Sequence, residues 1–93
     1  MREKEIEKKL VQSVKARGGM APKLVCPGII GMPDRLILMG GGKVGFIELK
    51  ASGMKPRAIQ VSRHQALRAL GFKVFVLDDQ LMIGEVLDDI QTT

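Results

Sequence analysis

The chain has 93 residues, 45% of them apolar, with a mean hydropathy near zero, a net charge of +5 and a pI near 9.7. This is one domain's length with room for a modest core, and no apolar run approaches the ~20 residues of a membrane span. The mixed-charge start, Met1-Arg2-Glu3-Lys4-Glu5, excludes a secretory signal peptide, so a cytoplasmic protein is expected. The lone Cys26 excludes an internal disulfide or a cysteine-cluster zinc site.

Arg2 to Arg17 reads as a helix, with Ile6, Leu10, Val11 and Val14 at helical spacing and Gly18-Gly19 as a stop. At about 100° per residue Glu3 and Glu7 fall within the apolar arc, and Glu5 on the opposite side. Glu3 also suits a helix N-terminus, and Glu7 also suits pairing with a lysine one turn away.

Lys23 to Cys26 suggests a short strand, and Pro27-Gly28, Gly31 and Pro33 punctuate the approach to the next one. Asp34 to Met39 and Val44 to Lys50 read as strands joined by Gly40-Gly41-Gly42-Lys43, a hairpin signal. With the glycines in the loop, Met39 faces Lys43, and counting back puts Asp34 opposite Glu48. Strand alternation gives Glu48 and Lys50 one face and Ile47 and Leu49 the other; Arg35 takes the face opposite Asp34, where solvent is expected to receive it.

Ala51 to Pro56 is a polar loop carrying Lys55. A helix is expected from Arg57 to Leu70, capped by Gly71, with Ile59, Ala66, Leu67 and Leu70 buried. Lys73 to Leu77 reads as a strand and Asp78-Asp79 as a turn. Leu81 to Ile90 reads as a last helix with Met82, Ile83, Val86, Leu87 and Ile90 inward. The expected fold class is α/β, a mixed sheet flanked by helices in the order αβββαβα.

Asp34, Glu48 and Lys50 are charges within segments that otherwise read as buried strands, where an unpaired charge is costly. Metal-dependent hydrolysis of a phosphodiester accounts for them. Mg²⁺ or Mn²⁺ chooses carboxylate and carbonyl oxygens, which Asp34, Glu48 and the backbone carbonyl of Leu49 offer, with Glu7 or Glu3 to complete the shell. Lys50 is placed to orient the attacking water and stabilise phosphate charge. No organic cofactor is called for.

Gly-Met-Pro-Asp-Arg-Leu-Ile-Leu at 31–38, Phe-Ile-Glu-Leu-Lys-Ala at 46–51, Lys-Pro-Arg-Ala-Ile-Gln at 55–60 and Leu-Arg-Ala-Leu-Gly-Phe-Lys-Val at 67–74 resemble the virus-type replication-repair nuclease family, VRR-NUC. That family is a branch of the PD-(D/E)XK nucleases. The resemblance covers nearly the whole chain, with Glu-Lys-Glu-Ile-Glu at 3–7, and is to the stand-alone phage form. It implies a restriction-endonuclease-like core, divalent-metal catalysis and structure-selective DNA cleavage. Asp34, Glu48 and Lys50 match the PD and ExK residues, and Gln60 matches the glutamine that opens the following helix. Glu7, within the helix and on its inward arc, is the first choice for the helix acid, with Glu3 second.

Lys43, Lys55, Arg57, Arg63 and Arg68 are expected to hold phosphates without reading sequence, since no recognition helix or zinc finger is evident. His64, four residues after Gln60 and so on roughly the same side of the helix, reads as a surface or packing residue, with phosphate contact or a place near the metal as the alternative, and Cys26 reads as a small buried hydrophobe. Stand-alone relatives imply a homodimer resolving Holliday junctions, and larger ones imply flap or nicking activity. A catalytically silent DNA-binding module of the same fold is the rival from another class.

Overall fold

The computed structural model describes residues 1–92. Helix α1 spans Glu3–Ala16, strand β1 Arg35–Met39, strand β2 Lys43–Leu49, helix α2 Ala58–Ala69, strand β3 Lys73–Leu77 and helix α3 Ile83–Gln91. The strands form one sheet in the order β1-β2-β3, antiparallel between β1 and β2 and parallel between β2 and β3. The α2 crossover supplies the connection that a parallel pair requires.

The glycine turn sets the hairpin register as its sequence demands. Gly41 and Gly42 take positive φ, Met39 pairs with Lys43 and Arg35 with Ile47, so Asp34 lies across from Glu48. Period-2 alternation then sorts the sheet into two faces. Ile37, Met39, Ile47, Leu49 and Leu77 pack with Ile6, Leu10 and Val14 of α1 and Ile83, Val86, Leu87 and Ile90 of α3. On the other face Phe46 and Val74 pack with Leu67 of α2, beside Leu24, Met32 and Leu36. Asp34, Glu48 and Lys50 share the α2 face.

Three expectations are corrected. No strand forms over 23–26, so the sheet has three strands rather than four. The segment instead runs beside β1 through two isolated antiparallel bridges, Met20 to Leu38 and Lys23 to Arg35. Pro22 has no N–H for a ladder and Pro27 ends the run, so extended pairing fails on both sides. The buried side of α2 is Gln60, His64 and Leu67, while Ile59, Ala66 and Leu70 are exposed. Met82 is exposed because a short 3₁₀ turn, Gln80–Met82, capped by Asp79, precedes α3 and turns it outward.

The approach to β1 is fitted closely to α2. Gly31 adopts φ +82°, and a Cβ there would stand 2.7 Å from the Ile59 carbonyl oxygen. Gly31→Ala therefore combines left-handed strain with a backbone clash. It is expected to lower unfolding free energy by about 2 kcal/mol, read as a lower urea midpoint at unchanged m-value.

Candidate metal and phosphodiester site

Asp34 sits at the entrance to β1, its main chain pinned where its carbonyl accepts from Leu24 N–H at 2.9 Å. Its side chain reaches across to β2, where Oδ2 accepts from the Leu49 N–H at 2.8 Å. Lys50 N–H points the other way, to Leu77 O of β3 at 3.0 Å. Since successive peptide groups alternate in direction, the Leu49 carbonyl faces the Asp34 side with its own N–H.

Glu48 lies on the neighbouring strand at 1% exposure. Oε2 accepts from Gln60 Nε2 at 2.9 Å, and Lys50 Nζ stands 3.7 Å from the same oxygen. The Gln60 amide is itself oriented, because its Oε1 accepts from the Arg57 N–H at 2.8 Å, leaving the NH₂ to face Glu48. Oε1 of Glu48 has no hydrogen-bond partner. Neither does Nε2 of His64, which faces it at 3.5 Å from an equally buried position on α2.

Burial foremost, and then the negative charge of Asp34, raise the Glu48 pKa from an ordinary 4.5 to about 7, with Lys50 opposing. Burial, then the nearby Arg68 charge, hold the His64 pKa below its ordinary value. The Glu48 shift expresses the cost of placing negative charge in this cleft without a compensating cation, and the His64 shift the cost of burying positive charge beside Arg68.

The helix acids divide. Glu7, half-buried, is taken by Arg35: Nε donates to Glu7 Oε2 at 3.0 Å while Nη1 donates to the Ala21 carbonyl at 2.7 Å. Arg35 is thus an ion-pairing strut rather than a solvated side chain. Glu3, one turn earlier, is exposed and lines a cavity of about 320 Å³ together with Glu7, Asp34, Lys23 and Leu24. Among the described residues no three of His, Cys, Asp and Glu converge as a complete side-chain shell.

The donors present nonetheless fit a hard divalent ion. Asp34 and Glu48 bring two carboxylates together, Glu48 Oε1 is a buried oxygen lacking a partner, and the Leu49 carbonyl faces the same side. Mg²⁺ in particular keeps several of its own waters, so one or two carboxylates suffice.

The basic residues are not equally placed. Lys43 is at the hairpin turn, five residues before Glu48 on the same strand and so about 17 Å along it from the acids. Arg68 is near the C-terminal end of α2, where Nη2 donates to Val74 O at 2.7 Å. Lys55 and Arg57 are exposed on the loop leading from Lys50 to Gln60, and Arg63 Nε donates to Ile30 O at 3.1 Å, tying α2 to the loop before β1. Of the five, Arg57 is tied to the site through its N–H to Gln60, and the Arg68 charge acts on His64. Cys26 is half-buried.

With this geometry in place, two comparisons bear on identity; no protein-family profile matches the chain. A phage protein named "Putative nuclease p44", from Acyrthosiphon pisum secondary endosymbiont phage 1, is 50% identical over 80 residues, 86% of each chain. A solved structure titled "VRR_NUC domain" superposes with a TM-score of 0.86 at 29% identity, covering 92% of this chain and 94% of that one. The chain belongs to the VRR-NUC nuclease family. Its VRR-NUC core places the acidic pair in the hairpin, behind which α2 supplies Gln60 and His64. His64, expected as a surface or packing residue, is buried and faces Glu48. Its i, i+4 spacing from Gln60 puts both on one helix face.

Because the Glu48 pKa is higher in the folded than in the unfolded chain, its contribution to stability is present below pH 4.5 and lost as pH rises towards about 7. Glu48→Gln removes that loss. In metal-free buffer the variant is expected to exceed the wild type in stability by a margin that grows from pH 4.5 to 7 and then levels. Urea denaturation across this range checks it, and a pH-independent margin contradicts it. The opposite dependence of His64, whose contribution fades as pH falls below 6.5, is removed by making the same comparison in a His64→Leu background.

Proposed function

We propose that this VRR-NUC chain is a Mg²⁺- or Mn²⁺-dependent DNA endonuclease that selects branched duplexes, with the four-way junction as its main substrate and a homodimer as its working form. The observation that carries the reading is the Glu48 carboxylate, buried beside Asp34 with Lys50 Nζ 3.7 Å from Oε2, an arrangement whose raised pKa a cation would relieve.

Asp34, Glu48 and the Leu49 carbonyl are the residues to hold the ion. When bound, the ion supplies charge neutralisation at the phosphate and acidification of water. Lys50, its backbone fixed on β3 through Leu77 and its side chain largely buried, keeps an ammonium group against Glu48. From there it can order the attacking water and balance charge accumulating on the phosphate oxygens. Gln60 keeps the Glu48 carboxylate from turning away. Glu3 is the better-placed helix acid, because Glu7 is engaged by Arg35 while Glu3 opens on the cavity that Asp34 lines.

Lys55, Arg57, Arg63 and Arg68 offer phosphate contacts; such contacts fix position without reading bases. A 93-residue chain offers one such centre, and two symmetric cuts on a junction call for two copies related by a two-fold axis. The phage relative supports a site of action in the cytoplasm of a bacterial host.

Labelled four-way junction, flap and plain duplex, incubated with Mg²⁺ or Mn²⁺, test the reading. Junction cleavage is expected to dominate, to vanish with EDTA, and to be lost in Asp34→Ala. Flap preference would reassign the substrate, and binding without cleavage would leave only a DNA-binding module. Light scattering is expected to give twice the 10.2 kDa chain mass. Lys50→Ala should bind Mn²⁺ and junction normally yet cut ~10²-fold more slowly; lost metal binding would refute that role.

The two helix acids should separate cleanly. Glu3→Ala is expected to weaken Mn²⁺ binding with little change in stability. Glu7→Ala should cost about 1 kcal/mol or more of stability by freeing the half-buried Arg35. Calorimetric titration with Mn²⁺ and urea denaturation of both variants decide it.

A further inference from the structure

We propose that His64 is a positioning residue for Glu48, holding the carboxylate oxygen that Gln60 leaves free; the inference rests on the metal-site reading above. Two buried polar atoms in the described residues have no hydrogen-bond partner, and they are Glu48 Oε1 and His64 Nε2. They face one another at 3.5 Å, each belonging to a residue 1% exposed. Buried polar atoms are ordinarily paired, so two orphans that point at each other need a common explanation.

One proton between the atoms provides it. With the Nε2–H tautomer, His64 donates to Glu48 Oε1, and a small side-chain rotation closes 3.5 Å to the roughly 2.9 Å of an ordinary bond. Gln60 already donates to Oε2 at 2.9 Å. The two donors are one helical turn apart on α2, so a single rigid element grips both oxygens and fixes the carboxylate plane. Each oxygen keeps a lone pair for a cation, as donors behind a metal-binding carboxylate commonly arrange.

Packing alone does not account for a histidine here. Its neighbour on the same helix face, Leu67, joins the apolar cluster with Phe46 and Val74. A leucine at 64 would fill the position without an orphaned nitrogen. The position of α2 is also independently secured, by Arg63 to Ile30 O and by Arg68 to Val74 O, and the turn after it by the edge-to-face contact of Phe46 with Phe72.

Calorimetric Mn²⁺ titration of the full chain, with urea denaturation in EDTA, tests this on wild type, His64→Leu and His64→Gln. His64→Leu is expected to fold, with some loss of stability without metal because Glu48 Oε1 loses its donor, and to bind Mn²⁺ ~10–100-fold more weakly. His64→Gln, which restores an N–H donor, should recover most of that affinity. His64→Leu with wild-type affinity overturns the proposal. So does failure of both His64→Leu and His64→Met to fold, which would make the residue a core element. If the wild type itself takes up no Mn²⁺, the metal-site reading falls and this inference with it; weakened binding in His64→Leu alone cannot arise that way.

Discussion

The Gln60–Glu48 hydrogen bond is the contact on which this molecule's arrangement turns. It is buried, joins the central strand to the crossover helix, and is prepared from behind by the Arg57 backbone, which dictates how the Gln60 amide faces. A carboxylate at the middle of a sheet face is a liability in an apolar interior. Its presence forces the helix above it to offer polar groups rather than aliphatic ones. The orientation of α2, the cleft beside β1 and the basic loop leading to Arg57 all follow from meeting that demand.

Much of this was legible in the sequence. The glycine run admits one simple hairpin register, and that register alone puts Asp34 across from Glu48. Period-2 alternation placed Lys50 with Glu48, and Ile6, Leu10 and Val14 marked the inner stripe of α1. Four linear motifs carried the family. These features are local, fixed by spacing along one or two adjacent elements.

What was not legible depended on what lay opposite. Hydrophobicity selects Ile59 and Leu70 for the inner side of α2, yet the helix faces the sheet where Glu48 is, so Gln60 and His64 turn inward and Leu70 is 75% exposed. Glu7 satisfied every helical criterion for an inward acid; only the fold reveals Arg35 waiting for it. Lys43 is basic and close in sequence to the motif, but the hairpin's length carries it away from the acids. The segment at 23–26 has strand-forming residues, and its prolines limit it to two bridges against β1.

Asp34 and Arg35 are consecutive, and the strand sends them to opposite sides of the sheet. Asp34 goes to the α2 side, where its carboxylate meets Leu49. Arg35 goes to the α1 side, where its guanidinium meets Glu7 and Ala21. A single peptide unit therefore separates the chemistry of the molecule from its bracing. A deletion or insertion of one residue within β1, between Arg35 and the glycine turn, would exchange them, delivering a guanidinium into the acid cleft and a carboxylate against Glu7. The length of β1 is thus under a parity constraint: a change of two residues keeps each side chain on its own face, and a change of one swaps both.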